Sequence, residues 1–202
     1  MTCVIAQPLL HVYHSEVEVE AIVLTGGASR RMGQDKARLS VNGEVLSERI
    51  ARDLLDTCSR VTVLGKEPIA GLQFLPDVEE YAGPLVALSR FEPVSEAVFV
   101  TSCDLPRFDA RLVDLFLELL QDNDAVLPLN EEQVQPLCAL YRADAWGRLH
   151  EAVVSGKKSM MAWLDGLKYR TVPQGEIASA GIDRRAIGGA NTPEEWERLL
   201  RD

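Results

Sequence analysis

The stretch AIVLTGGASRRMGQDK, residues 21–36, decides the fold of this chain. It begins with a continuous apolar run at 21–24, which is followed closely by two glycines, Gly26 and Gly27. A short apolar run without polar alternation is typical of a strand that is buried on both faces, as in a parallel sheet. The glycines then predict a tight loop at the carboxyl end of that strand.

Strand and helix signals alternate along the rest of the chain. Apolar runs predict strands at 61–64, 72–75, 97–100, 125–127 and 137–141. Helical spacing predicts helices at 46–55, after Pro84, at 112–120, 145–154 and 159–164, and after Pro193. Asp109 and Thr192 are the expected N-caps of the third and last of these helices. The alternation predicts an α/β fold with a mostly parallel central sheet covered by helices on both faces.

Composition limits the classes of function. The chain has 202 residues, 47% of them apolar, which suits one domain. We interpret residues 1–19 as an N-terminal extension, whose Val-Glu alternation is compatible with an edge strand, and 20–202 as a single domain. A net charge of −10 argues against nucleic-acid binding, and no apolar run reaches the roughly 20 residues that span a bilayer. Four cysteines without a CxxC pair indicate a reducing, cytoplasmic location.

The loop after the first strand suits a polyphosphate. Gly26 and Gly27 lack Cβ atoms, so their backbone N–H groups can approach phosphate oxygens closely. Arg30, Arg31 and Lys36 concentrate positive charge in an otherwise acidic chain. Neither the P-loop pattern nor the GxGxxG dinucleotide pattern is present. On this segment alone, a surface loop with solvated arginines is an equally good interpretation.

A second candidate segment reads CDLP at 103–106 and follows the predicted strand at 97–100. The carboxyl ends of parallel strands meet at one edge of the sheet, so Asp104 is expected opposite the first loop. Mg²⁺ prefers one or two carboxylates completed by phosphate oxygens and water, and Asp104 is the candidate ligand. The alternative interpretation is an ordinary N-cap or turn aspartate.

Five ordered motifs resemble one family. The first loop, GGASRRMGQDK at 26–36, is similar to the Gly-Gly-x-x-x-Arg-Met-Gly-x-Asp-Lys signature of the molybdenum cofactor guanylyltransferases. The resemblance continues through GPL at 83–85, CDLP at 103–106, QPL at 135–137 and NTPEE at 191–195. It implies a three-layer Rossmann-like nucleotidyltransferase fold. It also implies transfer of GMP from GTP to molybdopterin-bound molybdenum, with release of pyrophosphate.

The resemblance also implies roles for individual residues. The nucleotide-binding positions would be Leu24, Thr25, Gly26, Gly27, Lys36, Asp77 and Asp104. Asp104 would hold Mg²⁺, and Arg31 and Lys36 would stabilise the departing phosphates. Arg30 is the alternative to Arg31, because neighbouring side chains point in different directions. The acceptor phosphate already carries much of its second negative charge at neutral pH, so no general base is assigned.

The acceptor side rests on fewer residues. Lys157 and Lys158 form a basic patch before a predicted helix and are candidates for the acceptor phosphate, although two solvated surface lysines are an equally good interpretation. Asn191 matches a family asparagine near the active site, or is a turn residue before a capped helix. An apolar stripe in this region is expected to be core rather than a pterin platform; it consists of Met160, Trp163, Leu164 and Leu167.

The match departs from the family in three places. Thr25 stands where alanine is usual, Leu64 near a common polar base-contacting position, and Ala87 where a further glycine is frequent. The first loop and Cys103 nevertheless favour GTP over CTP by resemblance. Expected partners are GTP, molybdopterin and, transiently, cofactor-delivery proteins and recipient molybdoenzymes. The alternatives are cytidylyl or other nucleotidyl transfer to another phosphorylated acceptor, and a non-catalytic nucleotide-binding adaptor.

Overall fold

A computed structural model describes residues 17–26, 38–77 and 83–201. The strands in these ranges are β1 (Val19–Leu24), β2 (Ser40–Val41), β3 (Glu44–Val45), β4 (Arg60–Gly65), β5 (Gln73–Pro76), β6 (Ala97–Ser102), β7 (Ala125–Asn130), β8 (Gln133–Val134), β9 (Cys138–Arg142) and β10 (Tyr169–Pro173). The helices are α1 (Leu46–Leu55), α2 (Pro84–Leu88), α3 (Arg111–Leu120), α4 (Ala145–Val154), α5 (Met160–Leu164), α6 (Gln174–Ser179) and α7 (Pro193–Leu200), with a 3₁₀ turn at Arg184–Ile187.

The main sheet has the strand order β10-β7-β9-β6-β1-β4-β5, with β8 paired to β7. β1 pairs in parallel with β4 on one side and β6 on the other. β9 is antiparallel to both of its neighbours, β6 and β7, so β7 runs in the same direction as β6. The predicted mostly parallel sheet is therefore confirmed, with β9 and the short β8 as the antiparallel members.

Side chains alternate along β1 between two apolar cores. Ala21 and Val23 pack with α1 and α3 on one face of the sheet, and α6 lies in the same core. Ile22 and Leu24 pack on the opposite face with α2, α4 and α5. All six residues of β1 are buried, which confirms the predicted buried strand at 21–24 and adds Val19 and Glu20 to it. The result is the predicted three-layer arrangement of helices, sheet and helices.

An aromatic cluster fills the second core. Tyr141 of β9 stacks on Trp163 of α5 with ring centroids 4.5 Å apart, and Trp146 of α4 meets both rings edge-on. The buried polar atoms are satisfied, since the Tyr141 hydroxyl donates to the Pro136 carbonyl at 2.8 Å. The predicted apolar stripe is core, because all four of its residues are buried: Met160, Trp163, Leu164 and Leu167.

The strand order reverses at β1. The chain passes from β1 to β4 and β5 on one side, and then returns across the sheet to β6 on the other. α1 covers one face in the first connection and α2 the opposite face in the second. Such a reversal separates the connecting loops and leaves a crevice at the carboxyl ends of the strands, where α/β proteins bind ligands.

Several local predictions need correction. The N-cap of α3 is Ala110 rather than Asp109. Asp109 instead accepts hydrogen bonds from the backbone and guanidinium of Arg111, whose side chain holds the pKa of that carboxyl below its usual range. Thr192 caps α7 as predicted, with Pro193 at the first helical position. β10 was not predicted, because only Val172 is fully buried on this edge strand and the apolar signal is correspondingly weak.

Glu20, at the end of the Val-Glu alternation, lies in the central strand rather than in an edge strand, while residues 1–16 of the predicted extension lie outside the described residues. β1 begins at Val19, and Glu20 lies within the central strand with only 1% of its surface exposed. Its Oε1 accepts the backbone N–H groups of Val94 at 2.6 Å and Ser95 at 2.9 Å. The carboxylate thus ties the segment before β6 to β1. The division of the chain after residue 19 stays a prediction.

Replacing Glu20 by alanine should destabilise the protein. Glu20→Ala removes the acceptor of the buried Ser95 N–H, and an unsatisfied buried donor costs about 1–3 kcal/mol. We expect the free energy of unfolding, measured by urea titration, to fall by about that amount. Glu20→Gln keeps an acceptor oxygen and should lose less. If Glu20→Ala unfolded with the same urea midpoint as the wild-type protein, this role of Glu20 would be contradicted.

Candidate active site

The carboxyl end of β1 is held against β4. The backbone N–H of Thr25 donates to the Leu64 carbonyl at 2.8 Å, and its hydroxyl donates to the same oxygen at 3.3 Å. Thr25 is 4% exposed, whereas Gly26 is exposed. The Leu64 side chain lies in the second core. It is therefore not available as the base contact that a polar residue often provides at this position in the resembled family.

Two glycines allow the strand ends to approach closely. A Cβ on Gly65, at the end of β4, would overlap the Thr25 hydroxyl and lie 2.9 Å from the backbone nitrogen of Gly26. A Cβ on Gly26 would lie 2.5 Å from Oδ2 of Asp77. Asp77 follows β5, and its N–H donates to the Gly65 carbonyl at 2.8 Å. The predicted residues Thr25, Gly26 and Asp77 are therefore brought together.

Asp104 lies in the turn after β6, at the same edge. The preceding N–H, that of Cys103, donates to the Leu24 carbonyl at 3.1 Å, which joins this turn to β1. The Ser102 hydroxyl donates to Oδ1 of Asp104 at 2.6 Å. Asp104 is not the N-cap of α3, so that part of the alternative interpretation is wrong. It does lie in a turn, so the choice between a metal ligand and an ordinary turn aspartate stays a prediction.

The Asp104 carboxylate at this edge fits a magnesium–triphosphate. Asp104 follows β6, whereas Asp77 follows β5, with β1 and β4 between the two strands. Within the described ranges, no group of three or more His, Cys, Asp or Glu side chains is arranged to hold a metal ion. One or two carboxylates are what Mg²⁺ uses when phosphate oxygens and water complete its coordination.

The segment before α7 contacts Asp104. The Ala190 N–H donates to the Asp104 carbonyl at 3.0 Å, and a Cβ on Gly189 would lie 3.6–3.8 Å from the Asp104 carboxyl group. Asn191, a predicted site residue, is therefore at the same edge, next to Ala190. Its N–H donates to Oε2 of Glu195 at 2.7 Å, which fixes the loop to the first turn of α7.

The loop of Lys157 and Lys158 also lies at this edge. Because β9 is antiparallel, α4 starts at the opposite edge of the sheet and ends at the carboxyl edge of the parallel strands. The backbone there is close to the start of α2, since a Cβ on Gly83 would lie 3.6 Å from the Lys158 carbonyl oxygen. Both lysine side chains are exposed, as an acceptor-binding patch or a solvated surface requires.

Part of the predicted site lies outside the described residues, namely Gly27, Arg30, Arg31 and Lys36. The first described residue after this gap is Arg38, whose guanidinium pairs with Glu67 at 2.7 Å. Glu67 follows β4, so Arg38 lies beside the loop after that strand. An ion pair this exposed contributes little to stability.

The described cysteines are structural. Cys138 begins β9 and is buried, and burial raises the pKa of its thiol far above the usual range. Cys58 is likewise buried, with its pKa raised to about 12. Both are therefore thiols rather than thiolates at neutral pH and are poor nucleophiles. Cys103 is also buried, so the residue before Asp104 packs inward.

Sequence reasoning missed three residues that shape the site: Gly65, Ser102 and Gly189. A glycine directly after a predicted strand was a usable signal for Gly65. Ser102 and Gly189 gave no comparable signal, because their importance depends on contacts with Asp104 that only folding creates.

A family model, the MobA-like NTP transferase domain, matches residues 21–172. The chain belongs to this family. The match covers most of β1, all of β2 to β9 and most of β10, including the turns that carry Thr25, Asp77 and Asp104. Among the described residues, no helix is long and apolar enough to cross a membrane.

Relatives of similar length share most of the chain. A protein of Nostoc named "Probable molybdenum cofactor guanylyltransferase" is 32% identical, and the alignment covers 87% of each chain. One of Synechococcus elongatus with the same name is 30% identical, over 89% of this chain and 96% of the relative. A protein of Desulfosudis oleivorans named molybdenum cofactor guanylyltransferase is 24% identical, over 89% of this chain and 93% of its own.

Solved structures confirm the nucleotidyltransferase fold. Molybdopterin-guanine dinucleotide biosynthesis protein A of Archaeoglobus fulgidus superposes with a TM-score of 0.69 at 20% identity, covering 89% of this chain and 96% of that one. The 2-C-methyl-D-erythritol 4-phosphate cytidylyltransferase of Thermus thermophilus gives 0.62 at 16% identity, covering 88% and 95%. Both likenesses concern the fold alone.

Adding a methyl group to Gly65 should disturb the site. In Gly65→Ala the new Cβ would overlap the Thr25 hydroxyl and press on the Gly26 backbone, and such overpacking costs about 1–3 kcal/mol. We expect urea unfolding to show a loss of that size. Gly147→Ala is the matched control, because this α4 glycine has open space and should gain up to about 1 kcal/mol. Equal stability of the two variants would contradict the close approach.

Proposed function

We propose that the protein transfers GMP from GTP to the terminal phosphate of molybdopterin-bound molybdenum cofactor and releases pyrophosphate. The observation that carries this proposal is the contact of Thr25, Gly26 and Asp77 at the reversal of the strand order, with the turn of Asp104 joined to Leu24 at the same edge, in a chain of the MobA-like family. The names of its relatives support the guanylyl group and the molybdenum cofactor as the two substrates.

The nucleotide lies across the ends of β1, β4 and β5. The backbone of Leu24, Thr25 and Gly26 contacts the nucleoside, and Asp77 accepts hydrogen bonds from it. Gly26 supports this assignment, because it is exposed and its missing Cβ leaves the Asp77 carboxylate space beside the backbone. Gly27 and Lys36, which match the family signature, are assigned to the phosphates.

The main obstacle to the reaction is repulsion between two anionic phosphates. An oxygen of the acceptor phosphate attacks the α-phosphorus of GTP, and the bond from that phosphorus to the bridging oxygen of pyrophosphate breaks. Arg31 and Lys36 stabilise the negative charge that moves onto the leaving group, with Arg30 as the alternative to Arg31. No proton has to be removed from the acceptor when its phosphate is dianionic, so a general base is unnecessary.

Asp104 is the residue that would hold Mg²⁺. A bound Mg²⁺ supplies positive charge to the phosphates of GTP and orients them for in-line displacement. The position of Asp104 in the turn after β6, joined to β1 by the bond from the Cys103 N–H to the Leu24 carbonyl, supports this role. Asp104 itself contributes the carboxylate, and its backbone carbonyl accepts a hydrogen bond from the Ala190 N–H.

The acceptor lies toward the loop at 155–159 and the segment before α7. Lys157 and Lys158 are exposed at the correct edge and carry the charge that an acceptor phosphate needs. Asn191 lies next to Ala190, which contacts Asp104, and so is placed between the metal position and α7. A cytoplasmic location and transient contacts with delivery proteins and recipient molybdoenzymes belong to the same proposal.

Selective stabilisation by GTP tests the choice of base. At 100 times its dissociation constant, a ligand stabilises the folded state by about 2.7 kcal/mol. We expect GTP with Mg²⁺ to raise the melting temperature more than equal concentrations of CTP or ATP. A larger shift with CTP would favour cytidylyl transfer, which the same fold carries out in other proteins. Pyrophosphate release that depends on molybdopterin would exclude a non-catalytic adaptor.

Two substitutions test the charges assigned to the reaction. Asp104→Asn and Lys36→Ala should each lower kcat for guanylyl transfer by about a hundredfold or more, because each removes a charge that stabilises the transition state. Asp56→Asn, at an exposed aspartate beyond α1, is the control and should keep wild-type turnover. Circular dichroism should be unchanged in all three. Near-normal turnover in either site variant would remove that residue's role.

A further inference from the structure

The orientation of the Asp104 carboxylate needs a structural cause. The terminal torsion of aspartate is broad, so rotamer preference alone does not fix the plane of the carboxylate. Metal binding depends on where the oxygen lone pairs point, and groups that hydrogen-bond to a ligand usually set that direction. Ser102 is the described residue that makes such a bond, from its hydroxyl to Oδ1 of Asp104.

Ser102 is itself held firmly. It is the last residue of β6 and lies opposite Leu24 of β1 in the parallel register. Its N–H donates to the Leu137 carbonyl at 3.0 Å, and the next N–H, that of Cys103, donates to the Leu24 carbonyl at 3.1 Å. The backbone that carries the hydroxyl is therefore fixed by the strands on both sides.

The hydrogen bond has the length of a charge-assisted one. The hydroxyl oxygen of Ser102 lies 2.6 Å from Oδ1 of Asp104, within the range for a hydroxyl that donates to a carboxylate. An ionised aspartate has no donor, so the direction of the bond is from Ser102 to Asp104. Gly189 also lies close to the carboxyl group, since a Cβ on it would be 3.6 Å from Oδ1.

We propose that Ser102 is the positioning residue for the metal ligand, and that its hydroxyl fixes the orientation in which Asp104 binds the magnesium–triphosphate. This inference rests on the metal role given to Asp104 in the proposed function. With Oδ1 engaged by Ser102, the carboxylate is oriented before the nucleotide binds. Ser102 itself touches neither substrate nor metal in this role.

The test uses metal-dependent nucleotide binding as well as turnover. The thermal stabilisation by GTP is measured while Mg²⁺, and separately Mn²⁺, is titrated into the full-length protein. Loss of a group that orients a metal ligand typically weakens metal affinity about 10- to 100-fold. We expect Ser102→Ala to raise the half-saturating metal concentration by about tenfold or more, with a near wild-type melting temperature in the absence of ligand.

Three further variants make the result specific. Ser102→Thr keeps a hydroxyl and should restore the wild-type metal dependence. Ser102→Cys is close in size but donates weakly, and it provides the test if Ser102→Ala does not fold. Ser89→Ala removes another partly buried hydroxyl, one that donates to a backbone carbonyl, and should change nothing.

The outcomes distinguish the metal role of Asp104 from the positioning role of Ser102. If Asp104→Asn keeps the wild-type metal dependence, the metal role of Asp104 fails, and the role of Ser102 fails with it. If Asp104→Asn loses that dependence while Ser102→Ala and Ser102→Cys keep it, only the inference about Ser102 is wrong. A kcat that recovers at saturating metal in Ser102→Ala, with the KM for GTP raised at low metal, is the expected kinetic signature.

Discussion

The parallel pairing of β1 on both of its edges is the constraint on which the rest of the structure depends. A strand between β4 and β6 with both faces buried has no route to water except at its ends. The backbone that leaves its carboxyl end must therefore find partners at the sheet edge, and Thr25 does so by donating to Leu64. That hydrogen bond holds Gly26 beside Asp77, and the neighbouring bond from Cys103 to Leu24 places Asp104 on the other side.

The C-terminal segment adds a second layer of support to the site. Arg107, three residues after Asp104, donates to the carbonyls of Leu199 and Leu200 and so binds the end of α7. At the other end of this segment, the Ala190 N–H holds the Asp104 backbone. A carboxylate that must bind a metal without moving benefits from such contacts, because looseness of a fraction of an ångström weakens ligation and catalysis. The last elements of the chain thus act on a turn formed near its middle.

The fold and the chemistry of this protein are separable. Structures of a molybdopterin-guanine dinucleotide biosynthesis protein and a cytidylyltransferase superpose on it almost equally well. What differs between such enzymes must lie in the residues at the strand ends rather than in the sheet. Here the Leu64 side chain lies in the core, where a polar contact is frequent in the resembled family. In the proposed function, recognition of the base therefore rests on the backbone near Thr25 and on Asp77.

The sequence by itself determined the parallel α/β layering, the apolar strand ahead of the glycine loop and the place of Asp104 after a strand. These features depend on residues close together in the chain, where periodicity and turn chemistry act locally. Only the tertiary structure decided that Glu20 is buried in the central strand and that β9 runs antiparallel. It also decided that Ser102 donates a hydrogen bond to Asp104 and that Gly189 lies close to that carboxyl group. Those features depend on contacts between segments that are far apart in the chain. No local sequence pattern specifies which segments will meet.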